Sequence, residues 1–433
     1  MGNVQKSPLG TRAAGVRREG RLGAVSGVVL GGAAVAGTVL AGTVLAGVVT
    51  ALMARAIVTP PRPRGDDTRI LHARPGTVTL QATPDSVLPG EYSFFFGHGA
   101  GHARLGTVLQ HGAGLVTRQV IDVDGADLAL SRTGRFSGWV YRTPHDVGGV
   151  SAEVQVPTPA GDAPAWLFPA AAGPDAAGAE PTDAPVLPSA APWVIQVHGR
   201  GASREEALRA VPVFRDSGYT SLIISYRNDG DAPPTHDGRY GLGDTEWLDV
   251  EAAIDFAVQN GAESIVLMGW SMGGAIALQA VTRTRFAGCI TGVVLESPVI
   301  DWADVLAHQG TLNRLPAGVS RGAMAVMGWR FGGLLTGQST PINFSRLDFV
   351  TRAAELSAPI LLLHSDDDGF VPSTGSRALA ALRPDIVTFV PFAVARHTKL
   401  WNYDRELWTG SISRWLSSLP GPRHTGQNAP EAA

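Results

Sequence analysis

The pattern of apolar and polar residues changes character twice along the 433-residue chain, and each change predicts a different kind of structure. Residues 22–54 contain no charged side chain, and about 20 apolar residues suffice to span a bilayer. Between residues 66 and 156, β-branched and aromatic stretches alternate with Gly, Pro and Asp, which is typical of short strands and turns. From Trp193 onwards, apolar stretches alternate with helical ones, which predicts βαβ units and a mostly parallel sheet.

Individual elements follow from these patterns. The middle segment is predicted to be a small β-rich region, in which a Gly-rich stretch around His98, His102 and His111 is predicted to be a loop. Its predicted strands are Gly76–Leu80, Tyr92–Phe96, Leu115–Val123 and Trp139–Tyr141, and a hairpin of Val150–Val156 and Ala165–Phe168 follows. The predicted strands of the parallel sheet are Trp193–Val197, Ser221–Ser225, Ser264–Met268, Thr291–Leu295, Pro359–Leu363 and Ile386–Val390. Helices are predicted at Asp244–Gln259, with Asp244 as N-cap, and at Asp404–Leu416.

Charge is distributed unevenly along the chain. Residues 1–65 hold eight Lys or Arg and one acid, Glu19, so the other 368 residues carry 27 basic and 37 acidic side chains. Because nucleic-acid binding needs a basic face, this acidic body argues against nucleic acid as a partner. The basic end lies instead beside the apolar run, which points to a membrane.

The length of the apolar run favours a membrane anchor over a secretory signal, whose apolar stretch is only about 7–15 residues long. Five Lys or Arg precede the run, which predicts a cytoplasmic N-terminus and an extracytoplasmic main body. The alternative is cleavage at the A-x-A-like Ala54-Arg55-Ala56, which would give a secreted protein. The predicted segments are a basic tail (1–21), an anchor (22–54), a spacer with the β-rich region (55–149), an α/β domain (150–420) with a lid candidate at 301–358, and a disordered tail (421–433).

The sequence Gly269-Trp270-Ser271-Met272-Gly273 matches G-x-S-x-G, and its context is more informative than the match itself. An apolar strand runs into it and a small-residue helix leaves it, which is the strand–turn–helix arrangement of a nucleophilic serine. The glycines permit a tight turn that exposes the Ser271 hydroxyl and directs a helix N-terminus at it. Ser271 is therefore the predicted nucleophile, and the Met272 amide is a predicted oxyanion donor.

A serine nucleophile needs a base, and the base needs an orienting acid. In this arrangement the three follow in the order Ser, Asp or Glu, His. His397 follows the last predicted strand and precedes the last helix, which is the position expected of the base. The acid is expected after the preceding strand, where Asp366, Asp367 and Asp368 stand in a row and chemistry alone does not choose among them. Asp301 is an outside candidate.

These features resemble the α/β-hydrolase superfamily, specifically its esterase-like or S9/S33 peptidase-like serine hydrolases, over about Ala191–Leu419. The resemblance implies an α/β-hydrolase fold, a mostly parallel sheet flanked by helices. The family turn H-G-x-x-D-x-x-V-P, with Ser365 in place of glycine, implies Asp368 as the acid. The turn His198-Gly199-Arg200-Gly201 resembles the family's H-G-x-x turn and implies the Arg200 amide as the second oxyanion donor. The Arg200 side chain either contacts an acidic substrate or lies in solvent.

Together these residues predict a serine hydrolase that cleaves a carboxylic ester or amide bond of a small-molecule or peptide acyl substrate through an acyl-enzyme. No metal or organic cofactor is required by this chemistry. An acyltransferase with the same residues is the closest alternative, and a non-catalytic binding module with this fold is another. A dehalogenase is disfavoured, because its nucleophile would be Asp where Ser271 stands. The single cysteine, Cys289, allows neither an internal disulfide nor a cysteine-based zinc site.

Overall fold

The computed structural model describes residues 45–61, 64–170 and 191–419. The chain divides into two compact units, Met1–Val49 and Thr50–Ala433, and only residues 45–49 of the first unit are described. The predicted basic tail, residues 22–44 of the predicted anchor and the predicted disordered tail lie outside the described residues. Within the described ranges, no helix combines the length and apolar character needed to cross a membrane.

The predicted β-rich region contains a closed antiparallel barrel. Its six strands are β1 (Thr68–Arg74), β2 (Thr77–Gln81), β3 (Tyr92–Phe96), β4 (Gly101–Gly112), β5 (Leu115–Gly125) and β6 (Thr133–Ser137). Around the barrel they follow the order β1-β2-β5-β4-β3-β6. Phe94, Phe96 and Phe136 are buried inside. Arg118 is fully buried with them and donates to four backbone carbonyls of β4 and the β2–β3 connection. Burial lowers the pKa of Arg118 to about 10.

Two barrel elements differ from the sequence prediction. Of the Gly-rich stretch that is predicted to be a loop, Gly101–Gly112 forms strand β4, whereas His98 lies in a short turn before it. A glycine of this strand makes room for an aromatic ring. A Cβ at Gly101 would lie 2.2 Å from the Phe96 ring. The predicted strand Trp139–Tyr141 is wrong, and the sixth strand is β6 instead. A Cβ at Gly134 in β6 would lie 2.4 Å from the Phe94 ring, so the glycine that breaks the apolar pattern of this strand is needed for packing.

The main sheet has eight strands, which are β7 (Ala152–Thr158), β8 (Gly161–Phe168), β9 (Trp193–Val197), β10 (Thr220–Ile224), β11 (Ile265–Trp270), β12 (Ile290–Glu296), β13 (Ile360–Ser365) and β14 (Val387–Phe392). Across the sheet they follow the order β14-β13-β12-β11-β9-β10-β8-β7. β7 and β8 are the predicted hairpin and pair antiparallel, whereas β9 to β14 pair in parallel. All six predicted core strands are present. The chain passes from β9 to β10 on one side and then to β11 on the other, which creates a topological switch point where α/β proteins place ligand sites.

The helices cover the sheet and connect its strands. They are α1 (residues 45–58), α2 (Pro144–Val147), α3 (Val211–Asp216), α4 (Trp247–Gln259), α5 (Met272–Arg283), α6 (Trp302–Leu312), α7 (Ala317–Gly328), α8 (Gly333–Thr336), α9 (Thr374–Leu382), α10 (Leu400–Tyr403) and α11 (Arg405–Ser418). The predicted capping role of Asp244 is wrong. The helix begins at Trp247, and Asp244 instead accepts hydrogen bonds from Arg283 (3.1 Å) and Arg346 (3.3 Å).

Residues 301–358, the predicted lid candidate, contain α6, α7 and α8. Trp302 and Met327 are buried in the core beside the sheet. Phe331 and Leu334 are exposed on the outer surface, Leu334 by 87%. The segment therefore packs on the core of the main sheet while keeping apolar side chains exposed, and its action as a lid stays a prediction.

The end of the predicted anchor is part of the large unit. Ala54 and Val58 of α1 are fully buried and belong to the main hydrophobic core. The Val58 carbonyl accepts a hydrogen bond from the Tyr240 amide (2.8 Å). Ala54, the last residue of the predicted anchor, therefore packs on protein, and the boundary of the anchor stays a prediction. Cleavage at Ala54-Arg55-Ala56 would remove a buried part of the fold.

Candidate active site

Ser271 lies at the turn between β11 and α5. Its backbone angles are φ 52° and ψ −117°, a conformation that costs a non-glycine residue about 1–3 kcal/mol. The Ser271 amide donates to the Glu296 carbonyl (3.0 Å), and the Ser271 carbonyl accepts from the Gly274 amide (3.0 Å). These bonds hold the strained turn at the carboxyl edge of the sheet, with the N-terminus of α5 directly behind the serine.

The glycines around Ser271 are required by space. A Cβ at Gly269 would lie 2.4 Å from the Gly273 carbonyl oxygen, and a Cβ at Gly273 would lie 2.1 Å from the Val197 carbonyl oxygen. The second contact brings the end of β9 against the start of α5. The turn and the loop after β9 can approach this closely only because neither glycine carries a side chain.

His397 lies beside Ser271, in the loop between β14 and α10. Its Nε2 is 3.0 Å from the Ser271 Oγ, and its Nδ1 is 2.7 Å from the Asp368 Oδ2. With Nδ1 protonated, His397 donates to Asp368 and leaves Nε2 to accept the serine hydroxyl. The structure thus brings together the predicted nucleophile, base and acid.

The three consecutive aspartates, among which local chemistry alone does not choose, have different partners. Asp366 is exposed and pairs with Arg377 (2.6 Å). Asp367 accepts a hydrogen bond from the Arg396 amide (2.9 Å). Asp368 is the one that meets His397. The outside candidate, Asp301, caps α6 by accepting from the Ala303 amide (2.8 Å).

Asp368 is surrounded by donors. Its Oδ1 accepts from the amides of Phe370 (2.8 Å) and Val371 (2.9 Å). Its Oδ2 lies 3.3 Å from the Nε2 of a second histidine, the buried His364. Burial alone would raise the pKa of Asp368, but the charge of His397 and the hydrogen bonds from His364 and His397 hold that pKa well below its usual range. The carboxylate therefore stays ionised and can stabilise a protonated His397. In the sequence, His364 is only the first residue of the family turn, and nothing there predicts its contact with Asp368.

The loop after β9 lies directly over the serine. A Cβ at Gly199 would be 3.2 Å from the Ser271 Cβ. The Gly199 amide donates to the buried carboxylate of Glu206 (2.7 Å), and the Tyr226 hydroxyl donates to the Gly199 carbonyl (3.0 Å). The next amide, that of Arg200, has no acceptor among the described residues. Met272 is the first residue of α5, where a helix amide has no partner within the helix.

The Arg200 side chain takes neither of the two positions that the sequence suggests. Its guanidinium donates to the backbone carbonyls of Ala56 (2.9 Å), Ile57 (3.1 Å) and Thr59 (2.8 Å) at the end of α1. It therefore caps the C-terminus of that helix, where carbonyl groups lack partners within the helix. The loop that carries the Arg200 amide is in this way fastened to α1.

Glu296 is an organising residue that the sequence patterns do not indicate as part of the site. This fully buried side chain ends β12 and accepts hydrogen bonds from the indole nitrogens of Trp270 (2.8 Å) and Trp408 (2.9 Å). Arg209 lies 3.4 Å from its other oxygen. A single acid closing an otherwise apolar strand is the signal that would have drawn attention to it, since buried carboxylates need partners.

Outside this site, one buried histidine is paired with a carboxylate. His198, fully buried, places Nε2 3.1 Å from the Asp229 carboxylate, and that contact contributes to a raised pKa of His198 against the opposing effect of burial. Across the part of the chain that the structure describes, no group of three or more His, Cys, Asp or Glu is placed to hold a metal ion.

The chain is similar to a curated human protein. Protein ABHD12B of Homo sapiens is 25% identical over 190 residues, which is 42% of this chain and 47% of the relative. The chain therefore matches about half of the length of that protein. Residues 69–137, nearly the whole barrel, match a family described as a domain of unknown function (DUF8805).

Solved structures that resemble the chain share low identity with it. An esterase of Pyrococcus furiosus is 20% identical with a TM-score of 0.48, covering 65% of this chain and 95% of that one. Est1E of Butyrivibrio proteoclasticus is 16% identical with a TM-score of 0.43, covering 61% and 97%. A puromycin-hydrolysing peptidase of Mycobacterium tuberculosis is 17% identical with a TM-score of 0.43, covering 83% and 52%. Residues 194–423, more than half of the chain, match the model of the alpha/beta hydrolase family, and the chain belongs to that family.

Proposed function

We propose that this protein is a serine hydrolase that cleaves carboxylic ester or amide bonds. The observation that carries the proposal is the pair of contacts that links Ser271 Oγ to His397 Nε2 (3.0 Å) and His397 Nδ1 to Asp368 Oδ2 (2.7 Å). The chain of contacts ends on a hydroxyl in a strained turn at a helix N-terminus. This arrangement supports nucleophilic catalysis, because nucleophile, base and orienting acid are within reach of one another without rearrangement.

In the proposed reaction, His397 accepts the hydroxyl proton while Ser271 Oγ attacks the carbonyl carbon of the substrate. Asp368 keeps Nδ1 protonated and stabilises the imidazolium that forms. The amides of Met272 and Arg200 donate to the oxyanion of the tetrahedral intermediate. The imidazolium then passes its proton to the leaving alcohol or amine. Water, deprotonated by the same histidine, attacks the acyl-enzyme, releases the acid and restores the serine.

The proposed substrates are small-molecule or peptide acyl compounds. The Phe370 ring stacks on the His397 ring, with centroids 5.3 Å apart, and is half-exposed. An exposed aromatic ring beside the proposed base supports a substrate with an apolar portion next to the scissile bond.

The test is labelling of the full chain with a fluorophosphonate, followed by kinetics with p-nitrophenyl acetate. Ser271→Ala and His397→Ala are expected to abolish labelling, because they remove the nucleophile or its base. Asp368→Asn is expected to lower kcat by about 10⁴-fold, because the base loses its proper tautomer. Asp366→Asn is the matched control, since its carboxylate lies in the same turn but faces Arg377, and it is expected to keep the parent kcat.

Labelling that survives Ser271→Ala, or equal kcat values for the two aspartate variants, contradicts the proposal. A folded parent that neither labels nor turns over the ester favours a binding module with this fold. Transfer of the acetyl group to an added alcohol in preference to water favours an acyltransferase.

We also propose that the apolar run anchors the chain in a membrane, with the hydrolase fold on the extracytoplasmic side. The support is the uncharged stretch and the five Lys or Arg before it. Since Ala54 of α1 lies in the main hydrophobic core, the proposed span ends before that residue. We expect the full chain to stay in the membrane fraction after alkaline carbonate washing. We also expect external protease to cleave the hydrolase fold on intact spheroplasts. Release by carbonate contradicts the anchor.

A further inference from the structure

The barrel contacts the hydrolase fold at the loop that carries His397. Asp85, in the β2–β3 connection of the barrel, lies 2.7 Å from the Lys399 Nζ and 4.0 Å from the Arg396 Nε. These two cations stand on either side of His397 in the sequence. We propose that the barrel serves to position the His397 loop and that Asp85 is the positioning residue. This inference rests on the proposed function, in which His397 is the base.

Asp85 is the counter-ion of the buried charge on Lys399. Lys399 is only 8% exposed, so its ammonium has lost most of its hydration. Within the described residues, Asp85 is the only carboxylate that forms an ion pair with it, whereas Arg64 and Arg396 both act on it as like charges. Without Asp85, Lys399 would be a buried charge with no counter-ion, and such a charge is strongly destabilising. The simplest relief is for Lys399 to move into water, which displaces the residues just before it.

The loop itself is under strain that its surroundings must maintain. Arg396 has φ 62° and Thr398 has φ 49°, so both neighbours of His397 adopt left-handed backbone conformations. Non-glycine residues hold such conformations only where neighbouring contacts impose them. On the hydrolase side, the Arg396 amide donates to Asp367 (2.9 Å) and the Thr398 amide donates to the Ser297 hydroxyl (3.2 Å).

Backbone contacts from the barrel complete the other side of the loop. The Asn402 Nδ2 donates to the carbonyls of Glu91 (2.8 Å) and Gly138 (3.1 Å), which lie at the start of β3 and just beyond β6. A Cβ at Gly90 would lie 1.9 Å from the Asn402 carbonyl oxygen. The barrel thus packs directly against residues 396–402, so the loop cannot shift unless the barrel shifts with it.

A positioning role predicts a specific kinetic effect. A misplaced base lowers the rate of the chemical step, and displacements near 1 Å can lower it by about 10²-fold. Substrate binding does not depend on the position of His397 to the same degree. We therefore expect Asp85→Asn to lower kcat by about 10- to 100-fold, while KM changes by less than about threefold because uniform binding is retained.

The experiment compares four variants of the full chain by kcat, KM, the rate of fluorophosphonate labelling and the unfolding midpoint. Asp85→Asn is expected to show the loss in kcat, and Asp85→Glu, which keeps the charge, is expected to recover part of it. Asp85→Asn combined with Lys399→Met is expected to recover most of it, because no buried charge then lacks a counter-ion. Glu91→Gln is the matched control, since it keeps the Glu91 carbonyl that Asn402 contacts and changes only the side chain, which pairs across the interface with Arg405 (3.3 Å). It is expected to keep the parent kcat.

Equal kcat values for Asp85→Asn and Glu91→Gln overturn the role of Asp85. The same holds if the double variant is no more active than Asp85→Asn. If Asp85→Asn does not fold, the test is a comparison of Asp85→Glu with Glu91→Asp, which both keep the charge. The proposal predicts that Asp85→Glu lowers kcat, that Glu91→Asp does not, and that their unfolding midpoints are equal. Activity that survives His397→Ala overturns the proposed function together with this inference. Activity lost in His397→Ala but retained in Asp85→Asn overturns this inference alone.

Discussion

Buried carboxylates with several donors are the main organising residues of this site. Asp368 faces two imidazoles and two amides, Glu296 faces two indoles, and Glu206 accepts the amide that precedes Arg200. Hydrogen bonds to an ionised acceptor are about twice as strong as neutral ones. Each carboxylate therefore holds a piece of backbone or a ring in one position, and together they position the nucleophile, the base and the loop over them.

Ionisation of Asp368 is expected to make the fold sensitive to acid. Because its pKa is held below the usual range in the folded state, its charge stabilises the fold above the unfolded pKa of about 3.9. That contribution is lost as the pH falls towards the folded pKa. Between about pH 5 and about pH 3, the parent should lose more free energy of unfolding than Asp368→Asn, as measured by urea titration at each pH.

The comparison needs a second carboxylate from the same turn. The pKa of Asp366 is also lowered, by the hydrogen bond from Arg377, but the pair is exposed. Exposed ion pairs contribute little to stability, so Asp366→Asn should follow the parent curve. Parallel curves for the parent and Asp368→Asn would show that Asp368 is not the source of the acid sensitivity.

At the scale of elements, α1 is the least expected part of the hydrolase fold. Ala54 and Val58 near its end are buried in the main core. Three carbonyls at and just beyond its C-terminus accept from Arg200. The helix thus joins the predicted membrane segment to the loop that supplies the second proposed oxyanion donor.

Removal of this helix is expected to destabilise the fold. A chain that begins at residue 62 loses the buried side chains of α1 and leaves Arg200 without its three acceptors, so we expect about 3–5 kcal/mol less stability than for a chain that begins at residue 45. Urea denaturation followed by tryptophan fluorescence measures the difference. The chain from residue 45 is the control, since it keeps every contact of the large unit. Equal stability of the two chains would mean that α1 is only peripheral to the core.

For the whole molecule, the barrel and the hydrolase fold are expected to unfold together. Asp85, Gly90 and Asn402 join them at the loop beside the proposed base. Residues 68–137 contain no Trp, so tryptophan fluorescence reports the hydrolase fold, while hydrogen exchange in the barrel strands reports the barrel. Coincident transitions in urea are expected. A barrel that unfolds at lower urea, while the fluorescence is unchanged, would show that the two parts are independent.

Much of the hydrolase fold could be predicted from the sequence, because its signals are local. The apolar runs of the core strands and the periodicity of α4 appear within a few residues. The turn at Ser271 is predicted by its glycines and by the strand and helix on either side. The barrel was harder to predict, because glycines such as Gly101 and Gly134 make room for rings on neighbouring strands. A glycine that serves packing across strands looks the same in sequence as a glycine that ends a strand.

The sequence by itself determined the alternation of strands and helices, the strained serine turn and the order of serine, acid and histidine along the chain. These follow from residues that are neighbours in sequence and from the physics of short segments. Local chemistry did not choose among the three adjacent aspartates; the family turn implied Asp368, and the tertiary structure places it against His397. Only the tertiary structure decided where the Arg200 side chain goes and that Asp85 meets Lys399 more than 300 residues away. Aspartates in a row have the same local chemistry, and what separates them is burial and the donors that distant segments bring within hydrogen-bonding distance.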